Sequence, residues 1–151
     1  MAVEVRVHVH AESAIRLMRD MERRSKDFKP VFRWAKQELE RANEANFTAS
    51  GLPAGGWAPL NARYASWKST HFPGRPMMEI TGRLRDSLTR LVGPANKIDR
   101  MSAEFGTDVE YAKFHQYGTT RMAKRKIVYE PTGFGRTLAE HTGKHIVYGR
   151  F

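Results

Sequence analysis

The sequence predicts an α+β fold, and three observations carry the prediction. Val3, Val5, Val7 and Val9 alternate with Glu4, Arg6, His8 and His10, which is the period-two pattern of a half-buried strand. From Ile15 to Ala42 apolar residues recur at steps of three and four, the mark of a long amphipathic helix. Beyond Asn46, two Gly/Pro-rich stretches separate short patterned runs, which suits short helices and a small antiparallel sheet joined by long loops.

Each element has its own local reason. Ser13 is placed to cap the helix, whose apolar face holds Ile15, Met18, Met21, Phe28, Phe32, Ala35, Leu39 and Ala42. Pro30 interrupts it, so the helix either kinks or restarts there. Asp27 could cap the restart, with Pro30 in a first turn where its missing N–H does no harm. The helix or helix pair ends near Asn46. Residues 48–60 hold three glycines and two prolines and form a loop. Within it Trp57 either plugs the domain's own core or anchors a partner. Asn61 to Lys68 suits one or two helical turns, with Tyr64 and Trp67 nearly on one face. After a second loop from Thr70 to Met78, Thr81 caps a short helix to Leu88. A strand is expected from Ser87 to Val92, with Met101 to Thr107 as its antiparallel partner and residues 93–100 as a polar, mobile tip. Asp108 caps a helix from Val109 to Gln116, and Gly118 closes it in a left-handed conformation. Ile127 to Tyr129 and Ile146 to Tyr148 read as strands in an extended arm, with one turn around Leu138. The chain thus divides into an α+β domain over 1–120 and a basic, Gly-rich arm over 121–151. The loops are expected to be mobile in the isolated subunit, because few apolar contacts hold them.

Composition narrows the chemistry. The 151 residues can bury a core without staples. Cysteine is absent, which removes disulfides, thiolate metal sites and thiol nucleophiles. No apolar run is long enough to cross a bilayer, and the first residues lack a signal peptide's apolar block. The chain is therefore expected in the cytoplasm unless it leaves within a larger particle. The net charge of +10 suits an acidic partner, nucleic acid or a solvated basic surface. Its densest basic cluster is Arg121, Lys124, Arg125 and Lys126, without a recognised DNA-reading motif.

No catalytic constellation emerges. His141 and His145 are spaced i, i+4, and His8 and His10 share a strand face, yet neither pair has a third ligand at matching spacing. His115 has no Ser/Asp partner in sequence. Ser87 lacks a nucleophile elbow, and Gly51 to Gly56 lacks the Lys-Ser/Thr of a phosphate loop. Neither an enzyme, a cofactor nor a metal is expected.

The order of short motifs is more telling. Phe47-x-x-x-Gly51, Gly56-Trp57-x-Pro59-Leu60, Tyr64 and Lys68, Thr81-Gly82-x-Leu84-x-x-Ser87, Gly106-Thr107, and Tyr111-Ala112-x-x-His115-Gln116-x-Gly118 together resemble the virion-morphogenesis or tail-completion proteins of tailed bacteriophages, the small head–tail joining proteins. The resemblance spans roughly half the chain, and the end of the chain departs from it. It implies an α+β subunit without catalysis, assembling as a ring, commonly sixfold, between head and tail. Its partners would be further copies of itself, the portal, connector or stopper, and the tail tube. On that reading Trp57, Leu60, Tyr64, Trp67, Phe72, Tyr111, Phe114, His115, Gln116 and Tyr117 are assembly candidates. Arg121, Lys124, Arg125 and Lys126 would face either genomic DNA in the channel or acidic neighbouring rings, the second being preferred for most of them. The alternative is a basic nucleic-acid-binding accessory protein.

Overall fold

The computed structural model describes residues 11–150. The strand expected over Val3 to Val9, with His8 and His10, lies outside the described residues. The elements run α1 (Glu12–Arg24), α2 (Lys29–Thr48), a single 3-10 turn (Leu52–Ala54), α3 (Ala62–His71), α4 (Arg83–Thr89), β1 (Lys97–Ile98), β2 (Ala103–Glu104), α5 (Ala112–Tyr117) and α6 (Phe134–Tyr148). The class is α+β, strongly weighted to helix. The sheet is a two-stranded antiparallel ladder that pairs Lys97 with Glu104 and Ile98 with Ala103.

The proline breaks the long amphipathic pattern into two helices. Pro30 sits in the first turn of α2, where a helix has no intrahelical use for its N–H. Asp27 Oδ1 accepts the Lys29 N–H at 3.1 Å, which supplies one of the caps a helix start needs. The buried face of α2 carries Val31, Ala35, Ala42, Asn43, Asn46 and Phe47. Helix α4 packs across it. Phe47, Leu84, Leu88, Val109, Ala112 and Ile127 form the core, with Trp57 and Met78 packed against it.

Two asparagines in that face hold an extended segment in place. Asn43 Nδ2 donates to the Leu88 carbonyl at 3.1 Å, and its Oδ1 accepts the Tyr129 N–H at 3.0 Å. Asn46 Nδ2 donates to the Lys126 carbonyl at 2.9 Å. From the other side, Gln116 Oε1 accepts the N–H groups of Ile127 and Val128 at 2.9 and 3.0 Å. Ile127 is thereby carried into the core with no exposed surface.

The structure corrects four expectations. Helix α4 runs to Thr89 where a strand from Ser87 to Val92 was expected. Leu84, Leu88 and Leu91 are all buried, at the four-and-three spacing of a helical face. The partner of the 101–107 region is therefore Lys97–Ile98, inside the connection expected to be a mobile tip. Asn96 ties that connection down, donating to the carbonyls of Val92 and Gly106 at 3.0 and 3.1 Å and accepting the Gly106 N–H at 3.0 Å. Helix α5 starts three residues later than expected, and Thr107 Oγ1, not Asp108, takes the Val109 N–H at 3.1 Å. The extended arm is replaced by α6. Among the described residues Ile127 to Tyr129 join no ladder, and Ile146 to Tyr148 are the last turn of a 15-residue helix that packs on α1 and α2.

That helix is fastened by rings and by a guanidinium. Trp34 of α2 stacks on Phe134 at 6.0 Å and on His141 at 3.9 Å between ring centroids. His145 Nε2–H donates to the Asp27 carbonyl at 2.8 Å. Arg24 donates to the carbonyls of Ile146 and Val147 at 3.2 and 2.8 Å, a favourable place for a cation at a helix C-terminus. The two histidines spaced i, i+4 therefore pack and bond between helices.

Replacing Asn43 by Ala leaves the Leu88 carbonyl and Tyr129 N–H without their partner. Each orphaned buried group costs about 1–3 kcal/mol, so a clear drop in urea-unfolding free energy is expected. A change below about 0.5 kcal/mol, the size of an ordinary surface substitution, would show that the asparagine does not hold the segment.

Candidate functional site

The motif residues separate into those that build the subunit and those that face outward. Trp57 is half-buried. Its ring lies edge-on to Phe47 at 5.3 Å, and its Nε1–H donates to the Lys126 carbonyl at 2.7 Å. Gly51 makes room for it. That residue has φ +82°, and a Cβ there would lie 2.2 Å from Trp57 Cδ1, so no other residue fits. Of its two sequence readings, the structure places Trp57 as a plug of the subunit's own core.

Lys68 is buried on α3. Its ammonium donates to the Pro76 carbonyl and, at 2.9 Å, to the Met77 carbonyl. Burial pulls its pKa below the usual lysine value, and the nearby Glu79 pulls the other way. Glu79 is bonded by Arg85 at 2.8 Å, and Arg85 also reaches Glu44 on α2. Ser87 and Thr107 hydroxyls lie 2.7 Å apart, joining the Thr81-to-Ser87 motif to Gly106-Thr107. Gly118 has φ +77° with extended ψ, a region that only glycine occupies readily, and the backbone of Met122 to Lys124 closes against it.

The outward set is aromatic. On α3, Tyr64 and Trp67 stack at 5.5 Å, Trp67 stacks on His71 at 4.9 Å, and the half-buried Phe72 meets Trp67 edge-on at 5.6 Å. Tyr64 and Trp67 remain 41% and 43% exposed. On α5, Tyr111 and Phe114 are exposed and Tyr117 is 76% exposed. Leu60, His115 and Gln116 are half-buried, and Gln116 is committed to the 127–128 backbone. In the basic cluster Arg121, Lys124 and Lys126 are exposed. Arg125 is turned inward and donates from Nε and Nη2 to the carbonyls of Ala58 and Pro59, both at 2.8 Å.

Between α3, the start of α4 and α5 lies a groove of about 710 Å³. Leu60, Met77, Met78, Ile80 and Met122 supply apolar walls, Tyr64 and Tyr111 contribute rings, and Arg83, Arg121, Arg125 and His115 supply polar atoms. Sequence reasoning singled out Leu60, Tyr64, Tyr111, His115, Arg121 and Arg125 but missed the groove. The signal available was the apolar density of Met77-Met78-x-Ile80 inside a stretch read only as a loop. Among the described residues no group of His, Asp or Glu could hold a metal ion, and no helix is long and apolar enough to cross a membrane.

His115 reports the electrostatics of this groove. Its Nδ1 is buried without a hydrogen-bond partner among the described residues. Burial, and then the Arg125 charge, hold it below the ordinary histidine value, which is about 6.5. The unfolded chain therefore binds more protons than the folded one in mild acid. The stability that a neutral His115 contributes is complete above about pH 6.5 and is lost as pH falls through the folded value. Melting curves between about pH 7.5 and 5, the range over which histidine titrates, should fall more steeply for the wild type than for His115→Gln. Parallel profiles would remove His115 as the titrating group.

Comparison with known proteins gives a family match. Residues 9–140 fit the model of the phage virion morphogenesis family. No curated protein and no solved structure matches the chain. The fitted range includes every motif residue just placed, from the Gly51–Trp57 contact to the Gly118 turn, and the first turns of α6. With that extent matched, the chain belongs to the phage virion morphogenesis family, whose members serve the structure and assembly of the phage particle.

Proposed function

We propose that this chain is a structural subunit of the phage head–tail junction, forming an oligomeric ring that completes the tail and docks it to the head connector. The observation that carries the reading is the exposed aromatic surface of Tyr64, Trp67, Tyr111, Phe114 and Tyr117 on two short helices beside one groove. Exposed rings clustered in this way mark surfaces that become buried on assembly. A ring uses two different patches per subunit, each covered by a neighbour. The aromatic face supplies one. The other is sought on α1, where Ile15, Leu17 and Met18 are exposed.

The partners on this reading are further copies of the chain, the portal, connector or stopper above, and the tail tube below. A hexamer is the proposed stoichiometry. Arg121, Lys124 and Lys126 steer acidic neighbours or contact the passing genome. A dedicated nucleic-acid binder is the weaker reading, because Arg125, the fourth member of that cluster, is buried against carbonyls.

The test pairs imaging with a surface variant. Electron microscopy of the parent particle should show a ring of this chain at the neck, and density for it elsewhere, or none, would refute the assignment. Trp67 lies outside the buried core cluster, so Trp67→Ser should leave the monomer folded with only a modest fall in melting temperature. Loss of an aromatic hot spot costs about 2 kcal/mol or more, so ring formation, followed by sedimentation with and without the neighbouring tail proteins, should weaken by roughly thirtyfold or more. Undiminished assembly would take α3 out of the interface.

A further inference from the structure

Among the described residues Arg125 is a buried cation without an anion. It is 5% exposed. Its Nε and Nη2 donate to two neutral carbonyls, and among the described residues no carboxylate forms an ion pair with it or lines the groove it borders. Carbonyls satisfy its hydrogen bonds but leave its charge uncompensated, and a buried charge ordinarily has a counter-charge. Arg83 and Arg121 line the same groove, which adds to the positive potential. His115 lines the groove as well, and burial, followed by the Arg125 charge, holds its pKa below the ordinary histidine value.

The walls define what the counter-charge is attached to. Leu60, Met77, Ile80 and Met122 face the groove, and methionine-rich walls adapt to apolar side chains of varied shape. A nucleic-acid backbone would leave these walls against a polyanion. A second copy of this chain carries a net charge of +10 and so is a poor source of negative charge. The volume of about 710 Å³ lies within the range of sites that enclose ligands, roughly 300–1,000 Å³.

We infer that the groove between α3, α4 and α5 docks an acidic, apolar segment of a different protein, with a carboxylate of that segment pairing with Arg121 and Arg125. Reading the docked protein as a neighbour in the virion rests on the function proposed above; the chemistry of the groove does not. Arginine binds carboxylates in a directional, often two-pronged manner, so the carboxylate fixes register while the apolar side chains fill the methionine walls.

The test uses the full chain, labelled with nitrogen-15, and three probes. One is a capped synthetic peptide of alternating leucine and glutamate, one its glutamine isostere, and one a short DNA duplex. The glutamate peptide should shift the amide resonances of Tyr111, His115 and Met122 and bind at least about tenfold more tightly than the glutamine peptide. Arg121→Ala, an exposed position, should weaken it by about tenfold without disturbing resonances remote from the groove. Arg125→Met would add to the case only if its spectrum remains folded, which is why Arg121 carries the test. Equal binding of the two peptides overturns the proposal, as does absence of shifts in the groove or displacement of the peptide by DNA. A peptide that binds as expected, in a chain that imaging does not find at the neck, would overturn the location and leave the groove's chemistry standing. A ring at the neck with an inert groove would do the reverse.

Discussion

The fold depends on a single unusual constraint: an extended stretch whose backbone is satisfied by side chains in place of a neighbouring strand. Between Arg125 and Tyr129 the main chain meets the His115 carbonyl, Trp57, Asn46, Gln116 and Asn43 in succession. A strand would obtain these bonds from a ladder. Here they come from α2, from the tryptophan loop and from α5, three parts far apart in sequence. Buried backbone groups must be paired somewhere, so the stretch is stable only when all three are already in place. Ile127 then enters the core with its polar backbone accounted for. One residual cost is visible, since Asn46 Oδ1 is buried without a hydrogen-bond partner among the described residues.

This arrangement explains what could be read from the sequence. The α1–α2 pair was legible because its apolar spacing is long and Pro30 marks the break. The exposed Tyr64–Trp67 face was legible for the same reason, at smaller scale. Ile127-Val128-Tyr129 has strand composition and does run extended, but periodicity describes side chains and is silent on which groups bond the backbone. Helix α6 was hidden because its packing stripe, Phe134, Leu138, His141 and His145, includes two residues counted as polar. Once Trp34 stacks on His141 and Phe28 meets His145 edge-on at 6.0 Å, the imidazoles count as packing groups and the steps of four, three and four become helical. Around α4 the error was the opposite one. The step of three from Leu88 to Leu91 suits a helix and not a strand's period of two, and α4 packs on α2 as a helix.

The candidate site was legible by residue more than by place. Gly51, Trp57, Lys68, Ser87, Thr107, Gln116 and Gly118 were noticed as an ordered set, and nearly all of them hold the subunit's own loops. Tyr64, Tyr111 and His115, from the same motifs, face the groove. Two jobs are thus interleaved in one series of short motifs. No sequence rule separates them, because a tryptophan that plugs a core and a tryptophan that meets a partner have the same composition signature. Burial and bonding separate them: Trp57 donates to a carbonyl of its own chain, while Trp67 presents its ring to solvent.

The loops were expected to move freely because few apolar contacts hold them, and that premise counted only one kind of contact. Lys68 clamps the 76–77 backbone, Asn96 clamps Gly106, Arg125 clamps Ala58 and Pro59, and Gln116 clamps 127–128. Each clamp is a side chain from a helix, or from a segment tied to one, bonded to the backbone of a loop. A surface set in this way loses less conformational freedom when a partner covers it, so more of the contact energy appears as affinity. The same clamps give the groove its shape, since Lys68 sets the wall at Met77 and Arg125 sets the edge at Pro59. Polar pinning from within therefore fixes the shape of a surface whose aromatic rings are left exposed.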